Sequence, residues 1–470
     1  MKPKILLVLL TLALAAGALV MTAQNANFTG VIAPNQQLKL AVPDFRGSGG
    51  AAKFMQVFND TLWNELDNGG VVDLVGKSYY PLNVPQRPED FTSGTAKLTD
   101  WSQPPVQAND LAFGYTAEQN GQFLLLGNLD NVTQPSPAQA SLFAKRYTGS
   151  LDENGARDVA RQYAADILAQ FGAKSLAGTK IFFVSDRSVP VRRLPDGTFV
   201  SVKEIWSMDY DGSNQRQLTF YKNISEMPTV SPDGKMFAFT SYPQKMVKDV
   251  PVDGNPLIMI HSVDPDRRLS FYSPVSSIVA MPEFTPDGKH LLFATKIGAD
   301  KDPKIYMSNL QGGDLMQISH ANAVEVEPKV NPKTGTEILF ISGRTGHPQL
   351  WEMNIDGSGA HMLTDGTGEV ANPSWRPDGQ WVAFSWTRGF TYGQYNIFIM
   401  NLVTGKWDQL THDTGDNENP TWAPDGLHLV FSSKRSRSTQ IYTMLANGTH
   451  VQQLTSKGNN VEPVWTKGIN

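Results

Sequence analysis

Asn419-Pro420-Thr421-Trp422-Ala423-Pro424-Asp425-Gly426 decides the fold, with the apolar run Leu429-Val430-Phe431 and then Gln440-Ile441-Tyr442-Thr443-Met444 behind it. The same phrase returns as Pro228-Thr229-Val230-Ser231-Pro232-Asp233-Gly234, as Pro282-Glu283-Phe284-Thr285-Pro286-Asp287-Gly288 and as Pro373-Ser374-Trp375-Arg376-Pro377-Asp378-Gly379. A worn copy, Pro328-Lys329-Val330-Asn331-Pro332 with Gly335, lies between the second and third of these. Repetition on this scale means a repeat architecture, so it is settled first.

Each copy has the physics of a small antiparallel sheet. Asp-Gly supplies a hairpin turn, because Gly takes positive φ freely and the Asp side chain bonds nearby backbone. Short β-rich runs follow, as in Trp381-Val382-Ala383-Phe384 and Asn396-Ile397-Phe398-Ile399-Met400, and each unit ends on an outer echo such as Gln217-Leu218-Thr219, Gln409-Leu410-Thr411 or Gln453-Leu454-Thr455. Four strands per unit make a β-propeller blade. Units begin at Pro228, Pro282, Pro328, Pro373 and Pro420, and the fragment Glu462-Pro463-Val464-Trp465 is completed far upstream by Lys180-Ile181-Phe182-Phe183-Val184, Glu204-Ile205-Trp206 and Gln217-Leu218-Thr219. A split blade of this kind removes the open sheet edge. The expected fold is mainly β: a six-bladed propeller over 179–470, closed by the C-terminal strand.

Ahead of it, 38–175 reads as a small α/β domain. A strand at Leu38 to Val42 precedes a helix with Phe54, Val57, Phe58, Leu62 and Leu66 on one face. Strands are expected at Val71 to Val75, Gln122 to Leu126 and Leu142 to Tyr147, and a second helix carries Val159, Tyr163, Ile167, Leu168 and Phe171 before Gly172. The Pro-rich stretch from Pro81 to Ala108 reads as loop with Trp101 as its one anchor. Residues 1–23, with Lys2 and Lys4 before an apolar run, have the layout of a secretory signal, and 24–37 is a polar segment. No later segment reads as a membrane span, so the mature protein is expected to be exported and to meet membranes only through partners.

Composition narrows the function. The chain has 470 residues, a net charge of -5 and no cysteine, which removes the electrostatic case for nucleic acid and excludes thiolate chemistry. No Gly-x-Ser-x-Gly elbow is present. The eight histidines are scattered without His-x-x-x-His spacing, and the repeated Asp233, Asp287, Asp378 and Asp425 are each required by their own turn, so neither set reads as a metal site. No catalytic residue or cofactor is expected.

Strand alternation puts the Pro-Asp-Gly turns on one face of the propeller. The opposite face then carries the long loops and the residues entering each innermost strand at the channel mouth: Glu226, Met227, Met281, Glu327, Asn372, Asn419 and Glu462. Phe390, Tyr392 and Tyr395 offer an aromatic platform on one loop, and Lys434, Arg435 and Arg437 read as a solvated charge run. Glu226, Glu327 and Glu462 could also share a cation.

The export signal, the domain opening on Leu40-Ala41-Val42-Pro43-Asp44-Phe45 and the Pro-Asp-Gly propeller together resemble the TolB family, periplasmic components of the Tol-Pal envelope system. Lys180 to Val184 leading to Met208-Asp209-Tyr210-Asp211-Gly212-Ser213-Asn214 is similar to that family's first blade. The resemblance implies a monomeric, non-enzymatic adaptor in the periplasm whose channel mouth receives the peptidoglycan-associated lipoprotein Pal, with a role in envelope integrity and cell division. It also implies docking of TolA by the start of the mature chain, where 24–37 departs from the family's pattern, as does the insertion 186–203 in the first blade. A hydrolase, or a carbohydrate- or peptide-binding protein using the central channel, is the alternative that the repeats alone leave open.

Overall fold

The computed structural model describes residues 38–188, 192–193, 199–200, 202–247, 250–264, 279–389, 394–412 and 415–467. The signal and polar segment expected over 1–37, and Phe390 and Tyr392, lie outside them. Contacts divide the chain into two compact units between Ser175 and Leu176.

The first unit is a mixed sheet in the order Val72–Leu74, Leu38–Ala41, Asp110–Gln119, Gln122–Asn131, Ser141–Ser150. The first three strands run parallel and the last two antiparallel to their neighbours. Helices Met55–Asn68 and Glu153–Gln170 bury the expected faces, with Phe58, Leu62, Val159, Tyr163 and Ile167 inside. Tyr163 meets the rings of Phe45, Phe143 and Tyr147 at 5.9, 6.2 and 5.6 Å, and a Cβ at Gly127 would press on it at 2.8 Å. That position therefore takes only glycine.

Two expectations need correction here. Asp110–Gln119 is a ten-residue strand that the sequence reading missed, since Gly114 interrupts its β-rich pattern. The stretch 81–108 is not plain loop: it forms short helices at Glu89–Thr92 and Thr99–Ser102, and Phe91, Leu98 and Val106 join Trp101 in the core with Leu111 and Phe113. Long-range burial, which local composition does not report, orders it.

The second unit is the six-bladed propeller. Blade 1 combines Arg216–Gln217, Glu204–Asp209 and Lys180–Ser185 with the C-terminal strand Asn460–Thr466 as its innermost member. The innermost strands of blades 2 to 6 are Ser225–Val230, Val279–Phe284, Glu325–Val330, Val370–Trp375 and Asp416–Trp422. Each lies beside the next, and Asn460–Thr466 lies beside both Ser225–Val230 and Asp416–Trp422, so the ring closes. Blades 3 to 6 show four strands and blade 2 shows three among the described residues.

Sequence repetition becomes repeated hydrogen bonding. Asp233, Asp287, Asp378 and Asp425 each accept the backbone N–H two residues on, at 3.1, 3.0, 3.0 and 2.8 Å, which is the local turn duty expected of them. The outer Leu-Thr echo has a second duty: the hydroxyls of Thr219, Thr364, Thr411 and Thr455 accept the N–H of Ile205, Leu350, Ile397 and Ile441. Each also donates to the side chain one residue earlier, on Glu204, Gln349, Asn396 or Gln440. Backbone donors left over at the blade edge are thereby satisfied. His428 departs from the scattered-surface reading, because it is buried and bonded through Nδ1 to Asp425 at 2.6 Å.

Candidate functional site

Proline has no N–H to give to a ladder, so it is confined to edges and bulges. The repeat places one in every innermost strand, and pairing slips by one residue at each: between Glu226 and Thr229, Ala280 and Glu283, Val326 and Lys329, Ala371 and Ser374, Glu418 and Thr421, and Val461 and Val464. The residue just before each proline takes left-handed backbone. Met227, Met281, Glu327, Asn372, Asn419 and Glu462 have φ of 54°, 60°, 54°, 54°, 56° and 52°. For a residue other than glycine this costs about 1–2 kcal/mol. A bulge re-aims the side chain beside it.

All six of these residues line one cavity of about 120 Å³ at the channel mouth, together with the six prolines, Lys329, Thr421 and Val464. The strained backbone is held from the preceding blade. Met227 N–H donates to Glu462 Oε2 at 2.5 Å, Met281 N–H to Thr240 Oγ1 at 3.1 Å and Asn372 N–H to Glu327 Oε2 at 2.5 Å. Asn419 N–H donates to Asn372 Oδ1 at 3.3 Å and to Ser385 Oγ at 3.2 Å. These bonds join blade 1 to blade 2, blade 2 to blade 3, blade 4 to blade 5 and blade 5 to blade 6 along the rim. Strain of this kind persists only where the surroundings over-determine it, and it concentrates at functional sites.

Not every expected residue reaches the mouth. Glu226 is absent from the lining, and its carboxylate pairs with Lys203 Nζ at 3.1 Å. Tyr395, expected on the loop platform, has its backbone tied to the start of blade 6: its N–H donates to Asp416 Oδ1 and its carbonyl accepts from Asn417 N–H, both at 2.9 Å. Among the described residues no group of three or more His, Asp or Glu is placed to hold a metal ion, so the shared-cation idea for Glu226, Glu327 and Glu462 is not supported. Sequence reading missed Lys329, which follows the repeat's proline, and Lys203 at the end of the first-blade insertion. Lys329 reaches Glu283 at 2.9 Å inside the channel.

Charge at the mouth is costly. Burial, reinforced by Glu226, pushes the Glu462 carboxyl up to about 7, against the opposing pull of Met227 N–H and Lys203. Glu418 is likewise pushed up to about 7 by burial, with Asp416 and Glu327 adding to it. Glu327 is raised by burial. A carboxyl whose folded pKa is raised binds more protons in the folded than in the unfolded state between its two pKa values. Its contribution to stability is complete below pH ~4.5 and lost as pH rises through ~7. Glu462→Gln keeps an oxygen for Met227 N–H and removes the charge. It is expected to raise propeller stability by roughly 1–2 kcal/mol at pH 8 and to change little at pH 4.5, read from urea melts at the two pH values.

Toward the Pro-Asp-Gly face, the channel continues into a cavity of about 230 Å³ that shares Lys329, Pro373, Thr421 and Val464 with the first and is walled by Trp375, Trp422 and Trp465. Both ends are built from the same repeat. Only the mouth carries the strained ring.

Comparison with known proteins agrees with the propeller fold. The family model described as the TolB beta propeller domain matches residues 169–371 and 361–468. A TolB homolog of Chlorobium luteolum is 30% identical over 276 residues, 58% of this chain and 55% of that protein. A TolB homolog of Chlorobium chlorochromatii is 28% identical over 234 residues, 50% of this chain and 46% of its own length. The chain thus spans about half the length of these relatives. The crystal structure of TolB from Acinetobacter baumannii superposes with a TM-score of 0.72 at 19% identity, covering 92% of this chain and 98% of that one, which is a likeness of fold. With the family model spanning the whole propeller, the chain belongs to the TolB β-propeller family.

Proposed function

We propose that the protein is a non-enzymatic periplasmic adaptor of a Tol-Pal type envelope system, and that its propeller mouth binds a protein partner, the peptidoglycan-associated lipoprotein Pal. One observation carries the reading: six left-handed residues, one from each blade, surround a single opening, and the N–H groups of Met227, Met281, Asn372 and Asn419 among them are bonded to the preceding blade. An opening fixed before the partner arrives loses little entropy on binding. Polar groups such as Asn372, Asn419 and Glu327 are half-buried there, where a bond to a partner is stronger than in open water. The signal layout of residues 1–23 supports export, and family membership supports the Tol assignment.

The test is calorimetric titration of the full mature chain with the purified soluble domain of Pal from the same organism. The double variant Glu327→Lys, Asn372→Ala, shown by circular dichroism to be folded, is expected to bind at least ~100-fold more weakly, about 2.7 kcal/mol. Equal binding by variant and parent removes the mouth assignment. No binding by the parent removes the adaptor reading and returns the channel to small ligands such as glycans and peptides.

A further inference from the structure

The left-handed residues at the propeller mouth are not chemically uniform around the opening. In blade order they read Glu462, Met227, Met281, Glu327, Asn372 and Asn419. Two methionines fill one arc and two asparagines fill the arc facing it. Between the arcs stand the glutamates of blades 1 and 4, which are opposite one another in a closed ring of six. All six positions share one backbone conformation, so the repeat does not dictate this order of side chains.

Each part of the ring has unused bonding capacity. Glu462 and Glu327 each accept a backbone N–H through Oε2, and Oε1 of both is without a hydrogen-bond partner among the described residues. Asn372 Oδ1 accepts from Ser385 Oγ and Asn419 N–H, and Asn419 Oδ1 accepts from Ser432 Oγ. The Nδ2 donors of both asparagines have no acceptor among the described residues. The methionines supply a flexible apolar surface that adapts to what lies against it.

Charge at the opening is acidic once pairs are cancelled. Lys203 holds Glu226 at 3.1 Å, and Lys329 holds Glu283 at 2.9 Å. These two are the cations acting on Glu462 and Glu327, and none acts on Glu418 in the innermost strand of blade 6. Glu462, Glu327 and Glu418 are thereby left without an ion-pair partner of their own among the described residues.

We infer that the partner inserts a lysine or arginine whose charged end sits between Glu462 and Glu327, with its apolar stem against Met227 and Met281. The inference rests on the reading of the mouth as the partner's site. An ammonium or guanidinium brings several N–H donors, which suits acceptors on two sides of the cavity. It does not need the three converging ligands that a metal ion would, and that the described residues lack. Backbone carbonyls beside the inserted residue meet the amide donors of Asn372 and Asn419. Hydrogen bonds between charged groups are the stronger kind, and partial burial strengthens them further.

Insertion of a cation selects the ionised form of Glu462, whose carboxyl stands at about 7 in the free protein, so binding releases protons near neutral pH. Glu226, Lys203 and Glu327 face that carboxyl, and Tyr242 faces it beside Glu226. The experiment is calorimetric titration of the full mature chain with the soluble domain of Pal from the same organism, from pH ~6 to ~8, in two buffers of different ionisation enthalpy. Affinity is expected to rise about tenfold across this range, as the ionised fraction of a group titrating near 7 does, with net proton release at the midpoint. In Glu462→Gln the rise and the release are expected to disappear, and binding at pH ~8 is expected to weaken about tenfold. Proton uptake, with affinity falling as pH rises, is the signature of a neutral occupant that buries the carboxyls; it overturns the inference and leaves the mouth reading intact. Affinity independent of pH, or an equal rise in Glu462→Gln, overturns it as well. No binding by the parent at any pH removes the mouth reading and this inference with it.

Discussion

Removing residues 460–470 is expected to abolish cooperative unfolding of the propeller, because the C-terminal strand is the inner wall of blade 1 and the closure of the ring. Asn460–Thr466 pairs along Lys180–Ser185 from Asn460 opposite Ser185 to Thr466 opposite Lys180. Without it the inner edge of Lys180–Ser185 is unpaired and blades 2 and 6 lose their common neighbour. The point variant Trp465→Ala separates side chain from strand. Trp465 is buried with Ile181, Phe183, Met208, Ala423, Val430 and Ile441, and its indole N–H donates to Thr179 Oγ1 at 2.9 Å. Truncating a packed tryptophan costs about 3–5 kcal/mol, expected as a fall in melting temperature of roughly 10 °C. A melt by circular dichroism within ~2 °C of the parent would contradict closure by this strand.

Arg344→Ala is the second large effect. Glu325 opens the innermost strand of blade 4 with no exposure, pairs with the Arg344 guanidinium and has its Oε2 without a hydrogen-bond partner among the described residues. Arg344 lies 4.4 Å from the Trp351 ring and 5.6 Å from the Phe340 ring. Removing it leaves a buried carboxylate uncompensated, a loss of about 3–5 kcal/mol. The repeat supplies its own remedy, since Val279 and Val370 occupy the equivalent position in blades 3 and 5 and are buried there. Adding Glu325→Val to Arg344→Ala is therefore expected to recover most of the loss in urea melts. Failure of the double variant to recover would place the cost of Arg344→Ala in lost aromatic packing and not in the stranded charge.

Legibility in the sequence followed the range of the interactions involved. Turns are local, so Asp-Gly pairs and outer Leu-Thr echoes located the blades and the split closure. The mouth residues were legible through the proline that follows each of them. Their left-handed backbone was not, because it arises from a slipped ladder against a second strand and is held by a third element in the preceding blade. Glu325 and Arg344 are separated by a hairpin, so their pairing needs the blade itself. One local signal was readable and missed: Ser185-Asp186-Arg187, Ser342-Gly343-Arg344 and Ser433-Lys434-Arg435 recur at the same place in blades 1, 4 and 6. In each, Arg Nε donates to Ser Oγ, at 2.9, 3.1 and 3.1 Å, and the guanidinium covers aromatic rings. Arg435 is therefore part of a structural repeat as well as of the charged run with Lys434 and Arg437. In the first unit, the ordered 81–108 stretch was hidden because its partners are distant in sequence, whereas Asp110–Gln119 had a readable signal in the Asn120-Gly121 turn that joins it to Gln122–Asn131.

The central claim is that the partner enters at the strained ring. Its most direct test places a photoreactive amino acid at Met281, in the mouth, or at Lys235, beside a Pro-Asp-Gly turn on the opposite face, and irradiates each protein with Pal from the same organism. Cross-linking from position 281 with none from position 235 is the predicted result. Cross-linking from 235 and none from 281 would contradict it and move the interface to the other end of the channel.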